Sequence, residues 1–146
     1  MYSLPLDKRL VAWRDYRNTL DSMAFADAIS SVNKFWNAAP ISKQFYSQDQ
    51  FDSWPSPWEL IQDAGVDDIS KALGMAYSLQ LSKHGSDHDI SICCYINRNR
   101  SEQNNLVIID HGIYVLNLGT TIHVNKDLSN SNYGDVVTAI KIKELI

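Results

Sequence analysis

Apolar residues recur at helical spacing through the first half of the chain and alternate through the second. Leu10, Trp13, Arg17 and Leu20 follow at three- and four-residue steps, with Leu6 one turn before, and predict a helix over Asp7 to Leu20. A clearer stripe comes next. Phe25, Ala28, Ile29, Val32, Phe35 and Trp36 share one face, with Asp21 or Ser22 placed to cap this helix and Pro40 placed to stop it. The stretch ISKQFYSQDQFDSW keeps no period, so Phe45, Tyr46, Phe51 and Trp54 are expected to pin an irregular connection. Ser56, Pro57 and Glu59 then spell a capping box with proline at the first helical position, opening a short helix to about Asp63 that Gly65 is expected to end.

Asp67 caps the next helix, where Ile69, Ala72, Leu73, Ala76 and Leu79 make a stripe. Gly74 inside it costs about 1 kcal/mol relative to alanine, which predicts a close approach of a neighbour. This helix is expected to be the central, most buried one and to end near Gly85. Beyond it the period changes to two. Ile90, Ile92, Cys94 and Ile96 fall on one face of a strand, and Leu106 to Asp110 with Ile113 to Leu118 read as a hairpin turning at His111-Gly112. TTIHVN follows across a tight turn at Gly119-Thr120, and Val136 to Ile142 gives a last strand. Helices (about 1–85) followed by strands (88–146), with no repeat, predict one α+β domain over 1–146. Its N-terminal helices should pack on a four- to five-stranded, mostly antiparallel C-terminal sheet.

Charge and cysteine usage narrow the function. Thirteen Lys and Arg against 17 Asp and Glu give a net charge of −4, and the nearest approach to a basic patch is Arg98 with Arg100. Nucleic-acid affinity comes from clustered cations, so no nucleic-acid partner is expected. No run approaches the ~20 apolar residues of a membrane span, and the N-terminus lacks the apolar core of a signal peptide. Cys93 and Cys94 are adjacent on a strand and point to opposite faces, which suits reduced thiols better than a disulfide or a shared metal.

The candidate chemistry is sparse. Asp67 and Asp68 diverge by about 100° at a helix start, where first-turn negative charge is expected from the helix dipole alone. His84 and His88 flank a glycine that breaks their alignment, and with Cys93 or Cys94 they match no common zinc spacing. Asp110-His111 belongs to a turn. No catalytic, metal or cofactor site is expected on these grounds. What stands out is aromatic. Trp36 belongs in the core, whereas Trp54 and Trp58, interleaved with Pro55 and Pro57, are candidate partner-binding anchors together with Phe51. The C-terminal Ile142, Leu145 and Ile146 are candidates for a strand that pairs with or inserts into a partner.

The run WPSPWELIQDAGVDDISKALGMAYSLQL, with RLVAWRDYRNTLD upstream and YVLNL downstream, resembles uncharacterised small proteins of T4-like and marine tailed phages that carry a W-P-x-P-W-E-L corner. The order of helices, central helix and antiparallel strands is also similar to a transglutaminase-like (papain-like) core. In that core a nucleophilic Cys opens the central helix, and the following strands supply His and Asp. The place of that Cys falls at Asp67, so the resemblance implies a degenerate copy. It implies a non-enzymatic virion component or assembly factor of neck, tail or baseplate, with no cofactor. Its partners would be other phage structural proteins, in an oligomer within the particle, after synthesis in the host cytoplasm. The alternative is a cysteine hydrolase or transglutaminase-like enzyme with a rearranged site using Cys93 or Cys94. A third reading is a small cytoplasmic effector that binds a host protein.

Overall fold

A computed structural model describes residues 1–42, 45–119, 121–124 and 133–146. Four α-helices, α1 (Leu6–Asp21), α2 (Phe25–Asn37), α3 (Pro57–Gln62) and α4 (Asp68–Gln80), precede five strands. These are β1 (Ile90–Asn97), β2 (Glu102–Ile109), β3 (Tyr114–Leu118), β4 (Thr121–Val124) and β5 (Asp135–Lys141). The sheet runs β4-β3-β2-β1-β5, and every neighbouring pair is antiparallel. The fold is the expected α+β arrangement.

The two-residue period decides which face of the sheet meets the helices. Ile90, Ile92 and Cys94 of β1 lie opposite Ile109, Val107 and Asn105 of β2, and this row joins Leu116 beneath α4. On the reverse face Cys93, Tyr95, Leu106, Ile108, Val115 and Tyr133 form a second, smaller cluster. Helix α4 buries every residue from Ala72 to Leu79, as expected of the central helix. Gly74 is there because Trp36 lies across it: a Cβ at that position would sit 2.3 Å from the indole ring. One turn on, the Ser78 hydroxyl accepts from both Trp13 Nε1 and Trp36 Nε1, each at 3.1 Å, so α1 and α2 are tied to the same atom of α4.

Several local expectations need correction. Neither Asp21 nor Ser22 caps α2, which starts after Ala24 without a side-chain cap. Asp21 closes α1 instead, and its carboxylate accepts from the Lys83 amide at 2.8 Å. Gly65 does not end α3, which stops at Gln62. Its missing side chain makes room for the Pro40 carbonyl, which accepts from the Val66 amide at 2.8 Å. Helix α4 ends at Gln80, earlier than Gly85, and Thr120 of the expected second turn lies outside the described residues. The hairpin turn is tighter in conformation than its two residues suggest, with Asp110, His111 and Gly112 all at positive φ.

The C-terminal segment forms the β5 edge of the sheet and then folds inward. Residues Asp135–Lys141 pair with β1, and Ile142–Leu145 coil into a 3-10 turn whose Ile142 is fully buried.

Candidate functional site

Two adjacent aspartates open α4, and their carboxylates meet different partners although both line one cleft. Asp67, in extended conformation at the N-cap, turns inward. One carboxylate oxygen accepts from the Ser70 amide at 2.8 Å and the other from the Tyr46 amide at 2.7 Å. The Ser70 bond is the capping role expected of Asp67, and the Tyr46 bond ties it to the irregular connection. Asp68, one step on, turns toward the sheet. Its Oδ2 accepts from Asn105 Nδ2 of β2 at 2.8 Å, and its Oδ1 accepts from Asn117 Nδ2 of β3 at 3.4 Å.

Each asparagine is in turn held from outside the sheet. Asn117 sits in the left-handed region (φ 69°) where the β3–β4 register breaks between Val115 and Leu118. Its amide donates to Asn33 Oδ1 of α2 at 3.0 Å, while Asn33 Nδ2 donates to the Gly119 carbonyl at 3.1 Å. Asn117 Nδ2 also donates to the Asn105 carbonyl at 2.8 Å. Asn105 Oδ1 accepts from Gln48 Nε2 at 2.8 Å, and the same Nε2 donates to the Tyr95 carbonyl at 3.0 Å. Asn33, Gln48, Asn105 and Asn117 are all buried, so this is an interior polar network whose groups find partners.

A cleft of about 540 Å³ opens on Asp68, with Phe45, Tyr46, Gln48 and Gln103 among its walls. Burial raises Asp68 above the usual carboxylate range. The Asn105 and Asn117 hydrogen bonds and the Lys71 charge pull it back, and the Asp67 charge adds to the rise. The Tyr46 hydroxyl is pushed up to about 12 by burial and by nearby Asp63, to which it donates at 3.3 Å. Cys94, opposite Asn105 on the helix-facing side of β1, is fully buried; burial, Cys93 and the Asp68 charge push its thiol up to about 12. Cys93 lies on the other face and is also raised by burial. Neither cysteine is a thiolate at neutral pH, and neither stands at a helix start.

The aromatic corner is placed differently from expectation. Trp54 is only 7% exposed and donates its indole N–H to the Ser47 carbonyl at 2.8 Å. Pro55 and Pro57 are buried, and the Pro55 carbonyl accepts from the Tyr77 hydroxyl at 2.8 Å. Trp58 is 52% exposed, edge-on to Trp13, and Phe51 is 43% exposed. Leu145 packs partly buried against the core near Tyr77, whose hydroxyl also reaches the Leu145 carbonyl at 3.4 Å, and Ile146 is exposed. Trp54 and Ile142 are therefore interior residues, and a binding face made of the whole set is not formed.

His88 bonds the Asp110 carboxylate at 2.6 Å and stacks on Phe25, while His84 bonds the Leu20 carbonyl at 2.9 Å. These histidines staple the hairpin turn and the end of α1. Among the described residues no three His, Cys, Asp or Glu side chains gather to hold a metal ion.

Sequence reasoning missed Asn33, Gln48, Asn105 and Asn117. The available signal was parity. Asn105 shares the inward register of Val107 and Ile109, and Asn117 interrupts the apolar run YVLNL.

No known family profile and no curated protein matches the chain. Among solved structures, calcium-bound LapG of Legionella pneumophila superposes with a TM-score of 0.63 at 18% identity, over 91% of this chain and 74% of that one. At this identity the likeness shows the fold alone. The expectation of a non-enzymatic neck, tail or baseplate component is corrected by this finding, because the likeness is to LapG and not to a phage structural protein. The phage resemblance is carried by none of these comparisons. The side chain that leaves the start of the central helix to meet the two strands is Asp68, not Asp67.

Proposed function

We propose that the protein is a hydrolase of amide or ester bonds, a transglutaminase-like enzyme whose rearranged site uses the Asp68 carboxylate in place of a thiolate. The observation that carries this reading is the three-element convergence: a carboxylate at the start of the central helix, hydrogen-bonded by one residue from β2 and one from β3. In the enzymes of this fold the resemblance places Cys, His and Asp on those elements; here Asp68, Asn105 and Asn117 occupy them. An asparagine cannot relay a proton, so the chemistry falls to the carboxylate.

The step is general-base hydrolysis. Asp68 takes a proton from a water in the cleft as the water oxygen bonds to the substrate carbonyl carbon. The tetrahedral intermediate collapses, the carbon–nitrogen or carbon–oxygen bond breaks, and Asp68 returns the proton to the leaving atom. A carboxylate raised by burial is the stronger base, and the positive end of the 13-residue α4 favours the anion that forms beside it. Cys93 and Cys94 take no part, which replaces the alternative in which one of them is the nucleophile.

The test uses p-nitrophenyl acetate and a mixture of quenched fluorescent peptides. Turnover by the native protein should fall by about 10²-fold or more in Asp68→Asn, the range expected for loss of a general base. It should survive iodoacetamide and the Cys93→Ser/Cys94→Ala double variant. Its rate should rise with pH through a titration lying above the ordinary carboxylate range. Absence of turnover above buffer, or turnover unchanged in Asp68→Asn, overturns the proposal.

A further inference from the structure

We infer that Gln48 and Asn33 are positioning residues: Gln48 fixes which end of the Asn105 side chain faces Asp68, and Asn33 holds the Asn117 backbone from which its side chain reaches Asp68, so that Asp68 meets two N–H donors. The inference rests on the Asp68 reading for its functional meaning, but its geometry stands independently.

An amide side chain can present either its oxygen or its nitrogen in a given direction, and only its partners decide which. In this network the decisions trace back to backbone carbonyls, which can only accept. The Tyr95 carbonyl requires the Nε2 end of Gln48 at 3.0 Å. That nitrogen therefore meets Asn105, which must offer its Oδ1, at 2.8 Å. Asn105 is left with Nδ2 facing Asp68 at 2.8 Å. On the other side the Gly119 carbonyl requires Nδ2 of Asn33, which leaves its Oδ1 to receive the Asn117 amide at 3.0 Å. This holds Asn117 at φ 69°, a conformation that is costly for a residue with a side chain, and its Nδ2 then spans the Asn105 carbonyl and Asp68.

Gln48 and Asn33 are 5% and 1% exposed. Gln48 also lies on the irregular connection, and its own carbonyl accepts from the Thr138 hydroxyl of β5 at 2.7 Å. A buried glutamine on a loop, committed to strands β1, β2 and β5 at once, does more than fill space.

A double-mutant cycle followed by carboxyl NMR separates this role from packing. The Asp68 side-chain carbon is titrated in the native protein, Gln48→Met, Asn105→Leu and the combination; all the replacements are uncharged, so no new field is introduced. Gln48→Met frees the Asn105 amide to rotate, and the Asp68 titration should move upward because a hydrogen bond to its charged form weakens. In the Asn105→Leu background the same change should move nothing further, since the effect travels through Asn105. The parallel cycle, Asn33→Leu with and without Asn117→Ala, should behave alike, and it serves as the second arm if Gln48→Met fails to fold. An Asp68 titration that stays put, or that moves equally in both backgrounds, overturns the inference. The readout needs no substrate. If the cycle couples as stated while the native protein shows no turnover, the positioning role stands and the hydrolase reading falls.

Discussion

Ser78 carries more of this fold than its size suggests, because one hydroxyl oxygen accepts from two buried indoles that reach it from different helices. Removing it leaves two donors without partners, each costing about 1–3 kcal/mol. Ser78→Ala is therefore expected to lower stability by roughly 2–6 kcal/mol in urea denaturation, well beyond the loss of a small side chain. Trp13 and Trp36 were legible as core residues from helical spacing, but their shared acceptor was not. It lies 65 and 42 residues away along the chain, and nothing in local pattern connects them. The same limit hid the site. Asp67 could be read as a cap because its partner Ser70 is three residues on, whereas the partners of Asp68 are 37 and 49 residues on. The cysteines, by contrast, were read correctly as buried strand residues. With its thiol raised to about 12, Cys94 should resist a disulfide reagent at pH 8 until the protein is unfolded, and fast labelling in the native state would contradict its burial.

At the scale of elements, the corner before α3 shows what a local signal can and cannot specify. The capping box is present as read, with Ser56 accepting from the Glu59 amide and the Glu59 carboxylate accepting from the Ser56 amide, each at 3.4 Å. Prolines on either side fix the path of the chain, but a path does not say which of two alternating tryptophans faces inward. The Ser47 carbonyl, on the irregular connection, gives the Trp54 indole a partner in the interior, and Trp58 is left half-exposed. Trp54→Ala is accordingly expected to cost about 3–5 kcal/mol of stability, the range for truncating a buried tryptophan, and Trp58→Ala clearly less. Equal melting temperatures for the two variants would show that the corner is a surface feature after all. Strands were similarly legible one at a time from their alternation. Their order was not, because the hydrophobic period says which face is buried and leaves open that β5 returns to lie beside β1.

For the molecule as a whole, Asp68 sets chemistry against stability. Burial raises its titration in the folded chain, so the fold favours the protonated carboxyl, and this group's contribution is most favourable at low pH. As pH rises from the ordinary aspartate value of about 3.9 through the raised folded value, that contribution is lost, and above it the charged form is a standing cost. Asp110 acts in the opposite sense. Burial raises its titration, but the hydrogen bonds from His88 and the Asp89 amide outweigh it and hold the carboxyl below the usual range. The stability it adds is present above the ordinary aspartate value and is lost as pH falls through its folded value. Asp68→Asn removes the charge while leaving a polar group in reach of Asn105, so it is expected to raise the denaturation midpoint at pH 7. The gain should shrink as pH falls toward about 4, where native Asp68 is itself increasingly neutral. A stabilising substitution that abolishes turnover is the pattern of a residue kept for chemistry rather than for folding. If Asp68→Asn instead lowers the midpoint at neutral pH, the two asparagine hydrogen bonds outweigh the burial. Asp68 is then a structural tie between α4 and the sheet, and the hydrolase reading loses the group on which it depends.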